Sequence, residues 1–219
     1  MVVAVYNGER FLREALESVF RQTYDSYEVV LVDDGSTDRT AEIARDFPVR
    51  YVRQSNQGSS VARNVGVAAS RGGLIAFLDH DDVLPRDKLS LQAGFLMDRP
   101  DVDCVLGRQE WIVEGGQEPP DLPRDPLFGD PGGIALGSAM LRVEALEAVG
   151  GFDARYLYAE DRDLFVRLRE HGMAIAVLPE TVLYRRLHGH NKTLSPPASH
   201  PLLRSLREKL ERERSSERR

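Results

Sequence analysis

The sequence predicts an α/β fold, a mainly parallel central sheet flanked by helices. Three observations predict it. β-prone and amphipathic helical segments alternate through the first half of the chain, a pattern that puts helices on both faces of a parallel sheet. Polar clusters, Tyr6-Asn7, Asp33-Asp34 and Asp79-His80-Asp81, stand at the carboxyl ends of those strands, the edge outside which open parallel sheets bind ligands. The run Leu74-Ile75-Ala76-Phe77-Leu78 leads directly into Asp79-His80-Asp81-Asp82. Such an apolar run reads as a buried strand. Unpaired carboxylates are costly to bury, so the acids are expected where the strand leaves the core.

The elements follow in order. Residues 2–6 read as the first strand. Phe11, Leu12, Ala15, Leu16, Val19 and Phe20 recur with helical period and form one buried stripe. Residues 28–32 are the second strand, with Ser36 a cap for a helix over 37–46. A short strand over 49–53, a helix over 59–70, the strand over 74–78 and a helix over 86–97 complete the first half, with Asp82 a second candidate cap. A strand over 102–106 carries Cys104, a buried and unreactive thiol. Residues 115–133, rich in Pro, Gly and Asp, contain no clear element, and a loop of such length is commonly functional. A strand over 139–141, a helix over 143–149, a turn over 150–153 and a helix over 162–170 follow, then two strands over 174–178 and 182–184. Leu202, Leu203, Leu206 and Leu210 give a short stripe on an otherwise charged helical tail.

Composition narrows the function classes. The chain has 219 residues, 42% of them hydrophobic, and a formal charge of −6. That balance argues against a nucleic-acid partner, which needs a basic face. No apolar run approaches the ~20 residues of a membrane-spanning helix, and no secretory leader is visible. A single cysteine makes no intramolecular disulfide, so a cytoplasmic setting, at most at the inner face of a membrane, is expected. Nothing in the sequence specifies an oligomeric state. The acid cluster repels itself unless a cation joins it, and hard, oxygen-seeking Mg²⁺ or Mn²⁺ suits it. The plainer reading of Asp79-x-Asp81 is an Asp-rich turn.

In order along the chain stand Val5-Tyr6-Asn7; Val32-Asp33-Asp34-Gly35-Ser36; Ala62-Arg63-Asn64-x-Gly66; Phe77-Leu78-Asp79-His80-Asp81-Asp82; Gly150-Gly151-Phe152-Asp153; and Glu160-Asp161-x-Asp163-Leu164. Taken together these resemble the family 2 glycosyltransferases, which have the GT-A fold. The resemblance implies a donor half over residues 1–100 that binds a nucleotide-diphosphate sugar, an acceptor and base half over 101–200 of the same domain, and the tail over 201–219. It implies that Ala4, Tyr6, Asn7, Glu9, Asp33, Asp34, Arg63, Asn64 and Asp79 line the nucleotide site, with Tyr6 and Asp34 near the base. Ala4 stands where a Pro is frequent, and His80 where a small residue is frequent. The resemblance further implies an Asp-x-Asp metal site in which Asp81, Asp79 and His188 hold Mn²⁺ or Mg²⁺. The cation would stabilise the departing nucleotide diphosphate.

Family members invert the anomeric centre by direct displacement, which needs one general base. Asp161 matches it, with Glu160 in acceptor orientation; adjacent helical residues point in different directions, so one of the two is expected to face the sugar. Read on their own, both could merely cap the helix over 162–170, Arg63 could be a fold-stabilising ion pair, and His188 and His190 simple loop residues. UDP is the donor nucleotide implied first, with dTDP and GDP open. The acceptor implied is a saccharide or a lipid-linked saccharide, as in polysaccharide biosynthesis; a lipid-linked one would bring peripheral membrane contact. Two other classes fit parts of the sequence. A haloacid-dehalogenase-type phosphatase would use Asp79 as nucleophile, and a catalytically inactive module would bind nucleotide or sugar without turnover.

Overall fold

Alternation along the strands sends neighbouring side chains into two separate cores. Val3, Leu31, Ala76, Leu78 and Val105 enter one; Val2, Val30, Val32, Ile75, Phe77, Cys104 and Leu106 enter the other. Runs such as Leu74–Leu78 are apolar throughout because both sheet faces are covered. The structure is a computed structural model that describes residues 1–113, 135–156 and 159–188.

Strands β1 (Val2–Val5), β2 (Val30–Asp33), β3 (Arg50–Arg53), β4 (Leu74–Asp79), β5 (Cys104–Val113), β6 (Ala139–Arg142) and β7 (Ile175–Leu187) form one sheet. Its order is β3-β2-β1-β4-β6-β5-β7. The pairs β3–β2, β2–β1, β1–β4 and β5–β7 are parallel; β6 runs antiparallel to both β4 and β5. Helices α1 (Leu12–Phe20), α2 (Thr40–Arg45) and α4 (Lys88–Asp98) pack their apolar residues into the first core. Helices α3 (Ser59–Ala69), α5 (Val143–Ala148) and α6 (Glu160–Glu170) pack theirs into the second. The mainly parallel α/β sheet flanked by helices is thus as the sequence predicts.

Several details differ. Ser36 does not cap α2, which starts later, at Thr40; its hydroxyl instead accepts the Asn7 N–H at 2.9 Å. Asp82 does not cap α4; it accepts the Arg186 N–H at 2.8 Å. Helix α6 begins at Glu160, which puts Glu160 and Asp161 inside its first turn. The two strands expected over 174–178 and 182–184 are one continuous strand, β7. The loop over 115–133, His190 and the tail over 201–219 lie outside the described residues. Among the described residues no helix is long and apolar enough to cross a membrane.

Candidate active site at the carboxyl edge of the sheet

Strands β1, β2 and β4 lie side by side and parallel, so the segments leaving their carboxyl ends emerge together. The loops after β1 and β2 are zipped to each other. The Gly8 N–H reaches Thr40 Oγ1 at 2.8 Å, Asn7 Oδ1 accepts the Thr37 N–H at 2.8 Å, and Glu9 Oε2 accepts the Arg39 N–H at 3.2 Å. Asn7 adopts a left-handed φ of 52° to do this, a conformation that Asn tolerates better than most residues. Tyr6 beside it is left exposed. Ala4 sits within β1 opposite Val32 and Asp79.

Asp33 and Asp34 are both buried. Asp33 accepts the Ser36 N–H and the Tyr51 hydroxyl, which ties β2 to β3. Asp34 accepts the backbone N–H groups of Gln57 (2.9 Å) and Gly58 (2.8 Å) and the side-chain amide of Gln54 (2.7 Å). It therefore organises the loop that launches α3.

Arg63 is the hub. Its side chain is 6% exposed, and the guanidinium donates to Asp79 at 2.8 Å, Asp161 at 2.8 Å and Glu160 at 3.1 Å. Ser59, a turn earlier, donates its hydroxyl to Glu160 at 2.7 Å. Glu160 and Asp161, adjacent on α6 and expected to point apart, both reach Arg63. A single guanidinium nitrogen, Nη1, meets both. Burial lowers the Arg63 pKa, but the three carboxylates outweigh it and hold the guanidinium charged. Asp161 is pushed up to about 6, by burial first and by Glu160 and Asp79, against the opposing pull of Arg63 and the Leu136 N–H. Partial burial disfavours ionised Asp79, yet the Arg63 guanidinium outweighs it and holds the carboxyl below its usual range.

Asp81 is bound elsewhere: its Oδ2 lies 3.0 Å from His188 Nε2. The structure thus joins Asp81 to His188 and turns Asp79 toward Arg63. Among the described residues no three His, Cys, Asp or Glu side chains gather into one metal-binding group. Burial, then repulsion from Asp81 and Asp79, pushes the Asp82 carboxyl well above its ordinary value.

Three further side chains gather around the turn that follows β4. Arg186 donates through Nε to the Asp81 carbonyl at 3.0 Å and through Nη2 to Glu14 at 2.6 Å. Phe11 stacks on His188 with ring centroids 4.8 Å apart, and the Arg186 guanidinium lies 4.9 Å from the same ring. Phe11 reads from the sequence as part of the buried stripe, and nothing there singles out Glu14; their contacts with Arg186 and His188, far along the chain, bring both to this turn.

Comparison with known proteins bears on the fold and the family. The structure resembles TarS of S. aureus in complex with UDP-GlcNAc, at a TM-score of 0.73 and 23% identity over 90% of this chain and 61% of that one. It also resembles mannosyltransferase PcManGT of Pyrobaculum calidifontis in complex with GDP-Man and Mn²⁺, at a TM-score of 0.68 and 22% identity, covering 87% of this chain and 57% of that one. The fold is the GT-A fold of such glycosyltransferases. The sequence model described as Glycosyl transferase family 2 matches residues 1–150, and this chain belongs to that family. It is 44% identical over 87 residues to the uncharacterized glycosyltransferase EpsJ of Bacillus subtilis, covering 37% of this chain and 25% of that protein. It is 35% identical over 183 residues to the uncharacterized protein y4gI of Sinorhizobium fredii, covering 78% of this chain and 20% of that protein. The chain spans less than half the length of such curated relatives.

Proposed function

We propose that this chain transfers a sugar from a nucleotide-diphosphate donor to an acceptor hydroxyl, with inversion at the anomeric carbon and Asp161 as general base. One observation carries the reading: Arg63 gathers Asp161 and Glu160 beside Asp79, at the edge where β1, β2 and β4 end. Of the carboxylates that Arg63 gathers, one acting as base suffices for a one-step displacement, whereas canonical glycoside hydrolysis employs two. An Asp161 pKa near 6 lies close enough to neutrality for the residue to accept the acceptor proton. Glu160, held by Ser59 and Arg63, would orient the acceptor.

The donor side is read as follows. Tyr6, exposed beside Asn7, offers a ring face to the base. Asp34 and Asp33 maintain the loops around it. The Asp81–His188 pair fits a Mn²⁺ or Mg²⁺ ion, because Mg²⁺ characteristically takes one or two protein carboxylates and completes its shell with water and substrate phosphates. When bound, such an ion supplies Lewis-acid stabilisation of the leaving nucleotide diphosphate. UDP-GlcNAc and GDP-Man, held by the two structural relatives, are the first donors to try, and a saccharide or lipid-linked saccharide is the acceptor class. A haloacid-dehalogenase-type phosphatase is disfavoured, because Asp79 is committed to Arg63.

The test is proton NMR of each donor incubated with the protein and Mn²⁺, water serving as acceptor. Release of the nucleoside diphosphate together with the sugar of inverted configuration is the expected result. Retained configuration, or inorganic phosphate as the product, would contradict the reading.

A further inference from the structure

The turn Gly150-Gly151-Phe152-Asp153 has no part in the chemistry above, yet α3 grips it closely. Asn64 Nδ2 donates to the Phe152 carbonyl at 2.7 Å, and Asn64 Oδ1 accepts the Phe152 N–H at 2.9 Å. One side-chain amide thus satisfies both backbone groups of one residue; a carboxylate, lacking the donor, cannot. Gly151 is at φ +70°, and a Cβ there would stand 2.8 Å from Asn64 Oδ1. The glycine serves both the backbone sign and the close approach.

The grip fixes the Phe152 ring. That ring meets Phe77 edge to face with centroids 5.2 Å apart, and the Arg63 guanidinium carbon lies 5.6 Å from its centroid. Further along the same segment, Ser60 donates to the Tyr156 carbonyl at 3.0 Å and Ser59 to Glu160 at 2.7 Å. Read back from Asn64 to Ser59, α3 holds residues 152, 156 and 160 in order. The helix is itself seated on the sheet: a Cβ on Gly66 would lie 2.4 Å from Val2 Cγ1.

We propose that Asn64 is a positioning residue of the transfer step. By gripping the 150–153 turn it sets where Phe152 supports Arg63, and so where Asp161 stands against the donor edge. The inference rests on the transferase reading with Asp161 as base, and it assigns Asn64 to the base and away from nucleotide contact.

The experiment compares Asn64→Asp, Gly151→Ala and the double variant with the wild type. Nucleotide affinity is read by calorimetry, and release of nucleoside diphosphate from a sugar donor by steady-state kinetics. Asn64→Asp keeps the shape and loses the donor to Phe152; Gly151→Ala disturbs the same contact from the other side. Each single variant is expected to lower kcat about tenfold to a hundredfold, as small misplacements of reacting groups do. Donor KM and nucleotide Kd should stay unchanged. The double variant should lose about as much as the more damaging single and no more, because the two changes break one contact. Phe152→Leu, which keeps the backbone grip and removes the ring, should lower kcat in the same way and covers any failure of the first variants to fold. A raised donor KM with unchanged kcat would make Asn64 a donor contact and overturn the inference. So would a lowered melting midpoint with both kinetic constants intact. A wild type that binds no nucleotide and releases none overturns the transferase reading itself, before any variant is compared.

Discussion

Arg63 keeps a full charge with 6% of its side chain exposed because Asp79, Glu160 and Asp161 surround it. Its partners do not count equally. The Asp79 side chain is 44% exposed and solvent screens that contact, while Glu160 and Asp161 are 11% and 23% exposed. Arg63→Met therefore leaves two mostly buried carboxylates uncompensated. We expect a loss of about 3–5 kcal/mol in urea unfolding, as when one partner of a buried pair is removed. Asp161→Asn keeps the fold and the nucleotide affinity and should cut transfer by roughly 10²–10⁴-fold, the usual worth of a general base. The pH profile follows from the same residue. Its carboxyl titrates near 6 in the fold against an ordinary 3.8, and the base acts only when ionised. The kcat/KM should fall about tenfold per unit below pH 6 and level off above it. The stability term runs the other way. The folded state binds the proton more tightly, so this group's contribution improves as pH falls from about 6 toward 3.8. Arg63 and Asp161 each stand out in the sequence, but their pairing does not, because they lie 98 positions apart and no local pattern reports such a contact.

Helix α3 shows how an element turns sequence into placement. Gly66 lets it lie against β1, and an added methyl would meet Val2 Cγ1 at 2.4 Å. Gly66→Ala should destabilise by about 1–3 kcal/mol, the cost of overpacking a filled core, visible as a lower urea midpoint. Donor turnover should weaken with it, because α3 carries Arg63. At β7 the sequence misleads for an understandable reason. Pro179 falls in the gap between the two expected strands, yet β7 is an edge strand, where a proline with no N–H to offer is tolerated. The register with β5 slips at that point, with Leu106 opposite Val177 but Arg108 opposite Thr181. At α2 the sequence offered Ser36 as a cap, whereas the hydroxyl serves Asn7. The loop after β1 took a side chain that local propensity would have spent on the helix.

Across the whole molecule, the two-core sheet and its polar carboxyl edge were legible because strand alternation and Asp placement are local signals. The crossing contacts between halves, such as Phe11 with His188, depend on the sheet order and were not. The sheet also buries one lysine completely. Lys88 donates to Gln92 Oε1 at 2.6 Å and to the Ala139 carbonyl at 3.4 Å, and burial pushes it from an ordinary 10.5 down to about 7, with Cys104 partly opposing. Between those two values the unfolded chain holds a proton that the folded chain lacks, so stability rises with pH. Measured against Lys88→Met, the wild type should gain about 1.4 kcal/mol per pH unit from pH 7 upward; a constant difference would remove Lys88 from that role.

A cation-assisted nucleotide-sugar site at the edge formed by β1, β2 and β4 is the proposal on which every other role depends. It is tested most directly by calorimetric titration of UDP, GDP and dTDP, each with and without Mn²⁺, into the wild type and Asp81→Ala. The account predicts that one nucleotide binds tightly, that binding depends on Mn²⁺, and that Asp81→Ala abolishes the dependence. Binding that ignores both Mn²⁺ and Asp81, or no binding by any of the three, would contradict it.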